Sequence, residues 1–108
     1  MRRFASLRRR SDFNRLRQRG RRVNTPSLTL YHSDAFAGDQ TSLVGITVSS
    51  SIGNAVIRNR VRRRLASIVH DALDGHRTMR LLLIARPLAA TASFETLRSD
   101  VTSALAHK

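Results

Sequence analysis

The stretch from Ala55 to Gly75 constrains this chain more than any other. Its apolar residues Val61, Leu65, Ile68, Val69 and Ala72 recur at i, i+4, i+7, i+8 and i+11, which makes one stripe along an α-helix. A helix striped on one side has to bury that side, and the natural cover in a chain this short is a small sheet. The rest of the surface of its first turns carries arginine. On a helical wheel Arg58 and Arg62 flank one edge of the stripe, Arg60 and Arg64 flank the other, and Arg63 points away. Like charges at i, i+4 (Arg58/Arg62 and Arg60/Arg64) destabilise an isolated helix by about 0.2–0.5 kcal/mol per pair. Cations near a helix N-terminus also oppose the macrodipole. A polyphosphate ligand reverses both penalties, because phosphate suits the N-terminus and pairs with guanidinium. A basic helix face that merely meets water leaves both penalties standing.

The flanking elements show in the residue pattern. Residues 1–10 read as a basic arm whose only large apolar residues are Phe4 and Leu7. Ser11 is a suitable helix N-cap with Asp12 in the first turn, and Phe13 and Leu16 share one face, so a short helix is predicted at about 11–19, closed by Gly20 as a C′ residue. Thr25-Pro26 breaks the chain. Residues 27–32 then alternate, with Leu28 and Leu30 on one face and Thr29 and Tyr31 on the other; residues 43–49 alternate again, with Val44, Ile46 and Val48 on one side. These two strands are expected to pair as an antiparallel hairpin with a long loop. Gly75 closes the arginine-rich helix. Arg80–Ala85 is a nearly all-apolar strand that belongs in the middle of a sheet, and Pro87 stops it. Ser93 caps a last helix with Phe94, Leu97, Val101 and Leu105 on one face. The expected fold is α+β, a small sheet with three helices, in one domain spanning residues 1–108.

Charge narrows the function. The 108 residues carry a formal net charge of +13, and every basic residue but Lys108 is arginine. Self-repulsion at that charge opposes compaction, and a polyanion relieves it. Arginine makes bidentate phosphate contacts and stacks on bases, where lysine acts as a point charge. Nucleic acid is therefore the expected partner. A membrane is not, since the longest apolar run is Leu81–Ala85. A DNA-reading helix-turn-helix would need a helix and tight turn before the arginine-rich helix, where a strand-like segment stands instead. Without cysteines, and with His32, His70, His76 and His107 scattered, no zinc site is expected. A protein nuclease needs clustered carboxylates or a histidine base, whereas Asp12, Asp34, Asp39, Asp71, Asp74, Glu95 and Asp100 are dispersed. The N-terminus has no apolar signal core. It is arginine-rich and acid-poor like a transit peptide, but the residues after it read as part of a folded domain, so the cytoplasm is the default.

The run Val48-Ser49-Ser50-Ser51-Ile52-Gly53-Asn54-Ala55-Val56-Ile57-Arg58-Asn59-Arg60 resembles the signature of the bacterial ribonuclease P protein family, in which a strand ending in V-S leads through IGNAV into an R-N-R helix. Asp12-Phe13, Gly20, Leu30-Tyr31 and the Ile84-Ala85-Arg86-Pro87 strand ending fit the same family in order and spacing. The resemblance covers nearly the whole chain. It implies an α-β sandwich of the ribosomal protein S5 domain 2-like kind, with the R-N-R helix as a left-handed βαβ crossover. It also implies a protein subunit that does no chemistry itself: the catalytic RNA would hydrolyse precursor tRNA at its 5′ leader, with Mg²⁺ held mainly by that RNA, and no further protein partner would be required. Arg58, Asn59, Arg60, Arg62 and Arg63 would face the catalytic RNA. Phe13, Arg17 and Tyr31 would lie at a cleft for the single-stranded leader. The chain departs from the family at Arg17, where a second aromatic is common, and at Ser50 and Ser51, where lysines are common; guanidinium stacking by Arg17 would substitute for the missing ring. The alternative, a ribosomal or other structural RNA-binding protein, shares the charge and fold class but not the ordered motifs.

Overall fold

The computed structural model describes residues 4–75 and 78–106, so His76 and His107 lie outside it. Its strands are β1 (Phe4–Ser6), β2 (Arg21–Asn24), β3 (Leu28–Asp34), β4 (Ser42–Thr47) and β5 (Met79–Ala85). Its helices are α1 (Arg10–Arg19), α2 (Ala55–Ala72) and α3 (Phe94–Ala106), with single 3-10 turns at Ser50–Ile52 and Pro87–Ala90. The strands form one mixed sheet in the order β1-β4-β5-β3-β2. β1 and β5 run parallel to β4, while β3 runs antiparallel to both β5 and β2. α2 is thus the crossover between the parallel neighbours β4 and β5.

The expected β3–β4 hairpin does not form. β5 lies between the two strands, pairing Leu28–Asp34 on one side and Leu43–Thr47 on the other. The reason is burial. Six of the seven β5 residues are buried, on both faces, and such a strand is most stable in the centre of a sheet. Two further strands carry too little pattern to be expected. Residues 4–6 of the expected basic arm pair with β4, because Phe4 and Leu7 have opposite parity and are buried on opposite faces of the sheet. Arg21–Asn24 pairs with β3 as an edge strand whose only partly buried side chain is Val23, so it carries almost no apolar signal.

The helix termini also differ in detail. The N-cap position of α1 is Arg9, not Ser11, and no side chain caps it. Gly20 closes α1 with φ −73°, outside the left-handed region. Its need for glycine is close approach: a Cβ there would stand 2.6 Å from the Leu16 carbonyl oxygen and 3.1 Å from that of His32. Asn54 caps α2 by accepting from the Ile57 N–H at 3.0 Å, and Ser93 caps α3 by accepting from the Thr96 N–H at 3.1 Å.

The main core lies between the sheet and α2 plus α3. Leu28, Leu30, Leu65, Val69, Leu81, Leu83, Leu97 and Val101 are fully buried there. Ser27, also fully buried, donates through both its N–H and its hydroxyl to Asp100 and ties β3 to α3. The other face holds a smaller cluster of Leu7, Leu16 and Leu82, with Phe13, Tyr31, Leu43 and Ile84 packed around it half-buried.

Candidate nucleic-acid interface

α2 buries Val61, Leu65, Ile68 and Val69, as its stripe requires, and this orients the arginines. Asn59, Arg60, Arg62 and Arg63 are exposed. Arg62 Nη1 donates to Asn59 Oδ1 at 3.1 Å, which holds one guanidinium along the helix surface. Arg58 is half-buried, and its Nε is shielded from solvent without a hydrogen-bond partner. A buried donor left unmatched costs about 1–3 kcal/mol, so an incoming acceptor has something to gain there. Arg64 turns the other way and donates to the Ala92 carbonyl at 3.5 Å, in the turn before α3. Val56, in the first turn, is the most exposed large hydrophobic residue described, at 73%. It precedes Asn59 and Arg60 by three and four residues and so shares their side of the helix.

On the other face of the sheet Gly45, Leu82, Tyr31 and Arg22 are successive cross-strand partners in β4, β5, β3 and β2. Phe13 of α1 lies over Gly45, and Tyr31 stands two strands away, roughly 10 Å across the sheet. Both aromatics touch the Leu7–Leu16–Leu82 cluster and both stay half-exposed. Arg17 is exposed on α1, one turn beyond Phe13.

The two regions meet where β1 ends. Beyond Leu7, whose N–H still donates to the Val44 carbonyl, no strand among the described residues lies beside the edge of β4, and a groove of about 280 Å³ opens there. It is lined by Leu7 and Phe13 from the α1 face, by Gly45 and Ile46 of β4, and by Phe4 with Arg62 and Arg63 of α2 from the other face. The structure therefore joins Phe13 of the leader set to Arg62 and Arg63 of the catalytic-RNA set. Arg17 and Tyr31 do not line this groove, and Arg58, Asn59 and Arg60 lie elsewhere on α2. Phe4 and Leu7 are groove residues that the sequence reading leaves out, because they sit inside a basic run. Their three-residue spacing, which puts them on opposite sides of a strand, is the available signal.

A second unanticipated feature supports α1 from beneath. Arg80, with its side chain only 8% exposed, donates from Nε (2.9 Å) and Nη2 (3.1 Å) to the two oxygens of Asp39, and from Nη1 to Asp12 at 3.0 Å. Asp39 also accepts from the Phe36 N–H at 2.9 Å. The guanidiniums of Arg80 and Arg15 lie 3.8 and 4.4 Å from the centre of the Phe36 ring. Hydrogen bonds from Arg80 and then from Phe36 hold the Asp39 carboxyl below its ordinary range; Asp39 in turn raises the Arg80 guanidinium. Two of the dispersed carboxylates thus come together, but around a cation of the protein's own.

A five-stranded mixed sheet, with an arginine-rich crossover helix on one face and a half-exposed aromatic groove at its edge, defines an α+β RNA-binding domain. The family model of ribonuclease P matches residues 1–108. The ribonuclease P protein component of Pseudarthrobacter chlorophenolicus is 38% identical over 100 residues, covering 92% of this chain and 73% of that protein. That of Acidothermus cellulolyticus is 39% identical over 95 residues, covering 87% and 79%. Among solved structures, the Thermotoga maritima RNase P protein in complex with 1-(4-fluorophenyl)-2-thiourea superimposes with a TM-score of 0.80 at 21% identity, covering 94% of this chain and 98% of that one. The Staphylococcus aureus RNase P protein gives 0.75 at 22% identity, covering 93% and 91%. The chain belongs to the ribonuclease P protein component family. It is the protein part of a tRNA-processing ribonucleoprotein and has an RNA partner in that complex. Nothing in the fold or the matches favours the ribosomal alternative.

Proposed function

We propose that the chain binds the catalytic RNA of ribonuclease P through the exposed side of α2 and the 5′ leader of precursor tRNA at the α1 face, leaving hydrolysis to the RNA. The observation that carries this is the shared groove: an aromatic ring from α1 and two guanidiniums from α2 line one opening about the size of a nucleotide. Base stacking on an aromatic ring beside cations that track phosphates is the usual means of holding single-stranded RNA. Arg58, Asn59, Arg60, Arg62 and Arg63 neutralise and position the phosphates of the catalytic RNA. Phe13 and Tyr31 offer stacking surfaces to the leader, with Arg17 beside the first.

No chemical step falls to the protein in this proposal. Among the described residues no three histidine or carboxylate groups come close enough to hold a metal ion, and the carboxylates that do approach one another, Asp12 and Asp39, are taken by Arg80. In this proposal the Mg²⁺ that hydrolysis would use is held mainly by the RNA. No helix among the described residues is long and apolar enough to cross a membrane; a cytoplasmic location is part of the proposal.

Reconstitution with a bacterial ribonuclease P RNA tests it. The expected result is leader removal by protein and RNA together, none by RNA-free protein at any Mg²⁺ concentration, and tighter binding of precursor tRNA than of mature tRNA. Turnover by RNA-free protein, abolished by replacing Asp71 or another acid, would overturn the division of labour. Equal affinity for the two tRNAs would remove the leader site.

A further inference from the structure

We propose that Gly45 is a positioning residue for the leader site, because its missing side chain is what lets the Phe13 ring lie against the sheet. This deepens the leader reading above and rests on it. Gly45 is buried in β4, and its substituent would point to the α1 face. A Cβ placed there meets Phe13 Cε1 at 2.8 Å and Cζ at 3.0 Å, and Leu82 Cδ1 at 3.3 Å. Real side chains essentially never approach to 2.8 Å, so one neighbour has to move. Leu82 is fully buried and held by its cluster. Phe13 is half-exposed and borders the groove, so its ring is the one that yields.

The direction of movement matters. Phe13 and Gly45 both line the groove, and the clash at residue 45 pushes the ring outward, off the β4 backbone. Any side chain at residue 45 therefore tilts or lifts the ring from its seat and changes the shape of the opening that a base would enter. Glycine usually weakens a strand interior, and its presence there often marks close approach by another group. Here the approaching group is the aromatic ring itself. The β4 backbone forms the floor of the site, and Phe13 is stacked on it at a fixed height.

The test uses the reconstituted holoenzyme, precursor tRNA with a leader of several nucleotides, and mature tRNA. The readout is the ratio of the two affinities, which a loss of fold or of catalytic-RNA binding would not move selectively. Gly45→Ala is expected to reduce the ratio at least about fivefold, the lower end of what one stacked base contributes. Phe13→Leu, which removes the clashing ring atoms, is expected to reduce it by a similar factor. The double variant Gly45→Ala/Phe13→Leu should be no worse than either single one, because both act on one ring. Additive losses, or a wild-type ratio in Gly45→Ala beside a reduced one in Phe13→Leu, would overturn the positioning role while leaving the leader site intact. A wild-type ratio in Phe13→Leu would overturn the leader site and this proposal with it. Should Gly45→Ala lose its melting transition, the double variant must recover one; continued unfolding would show that the contact with the ring is not what residue 45 governs.

Discussion

On the side of the sheet covered by α2 and α3, Leu28, Leu30, Leu81 and Leu83 are wholly buried beneath two helices of 18 and 13 residues. On the opposite side a single ten-residue helix covers the same strands, the buried hydrophobic cluster among the described residues shrinks to Leu7, Leu16 and Leu82, and Phe13, Tyr31, Leu43 and Ile84 remain partly open. The number and length of the covering helices explain the contrast. Ten residues of helix extend roughly 15 Å, less than the ~19 Å between the outer strands of a five-stranded sheet. One face is closed and supplies stability. The other is left incompletely covered, so its aromatic residues are available to a ligand, and its short helix is held by the Asp12–Arg80–Asp39 ion cluster in place of a large apolar area.

The contrast can be broken hardest from the closed side. Leu65→Ala removes a fully buried side chain at the centre of the α2 stripe and is expected to cost about 2–5 kcal/mol. Denaturant unfolding should show this with catalytic-RNA affinity unchanged wherever the domain remains folded. A loss below about 1 kcal/mol would mean that the α2–sheet core is not the main source of stability.

On the open side, Arg80→Met should cost about 1–3 kcal/mol. Breaking a buried ion pair costs more, but Asp12 and Asp39 keep 22% and 12% of their side-chain surface in water and can be rehydrated. The same cluster sets an acid response. Because the folded-state pKa of Asp39 is lowered, its stabilisation is fully present above the unfolded value of about 3.9 and is lost as pH falls through the lower folded value. Asp39→Asn should flatten that part of the stability–pH profile. An unchanged acid limb would show that Asp39 is not its source.

Tyr31→Ala sharpens the contrast from the ligand's side. Affinity for leader-bearing precursor tRNA should fall by about 1–3 kcal/mol, the worth of one stacked base, with little change for mature tRNA, and Tyr31→Phe should behave nearly as wild type. Equal weakening of both tRNAs would place Tyr31 in the fold or at the catalytic RNA. The melting curve of the variant separates these two.

The smallest expected change in stability is at α2. Arg58→Ala and Arg60→Ala should each lower the slope of log affinity against log salt for the catalytic RNA by roughly 0.7–0.9, corresponding to about one phosphate contact, while the melting transition stays close to wild type. Loss of the transition in both would show that these arginines hold the fold.

Much of this molecule is legible from spacing. The α2 stripe, the alternation of Leu28/Leu30 against Thr29/Tyr31, the central place of β5 and the Ser93 cap are all local patterns, and the structure keeps each. The arginines that the helical wheel puts outside the stripe are outside it, although Arg58 is more enclosed and Arg64 is drawn toward α3. Less legible are the short edges. β1 and β2 have three and four residues, too few for periodicity to stand out from a basic background. The sequence makes Gly20 look like a left-handed cap, but glycine is needed there because a Cβ would crowd the Leu16 carbonyl oxygen of α1 first and that of His32 in β3 second.

The sequence by itself determined which residues turn inward, because that depends only on the repeat of a helix or strand, and it determined that the partner is a polyanion, because net charge is a sum over residues that ignores their arrangement. Strand order, the meeting of Asp12 and Asp39 on Arg80, and the groove joining Phe13 to Arg62 and Arg63 were decided by the tertiary structure alone. Each requires groups dozens of residues apart to compete for one neighbour. β5 displaced β4 as the partner of β3 because burying both its faces outweighed a local hairpin, and once it was seated, the free edge of β4 and the groove beside it were set.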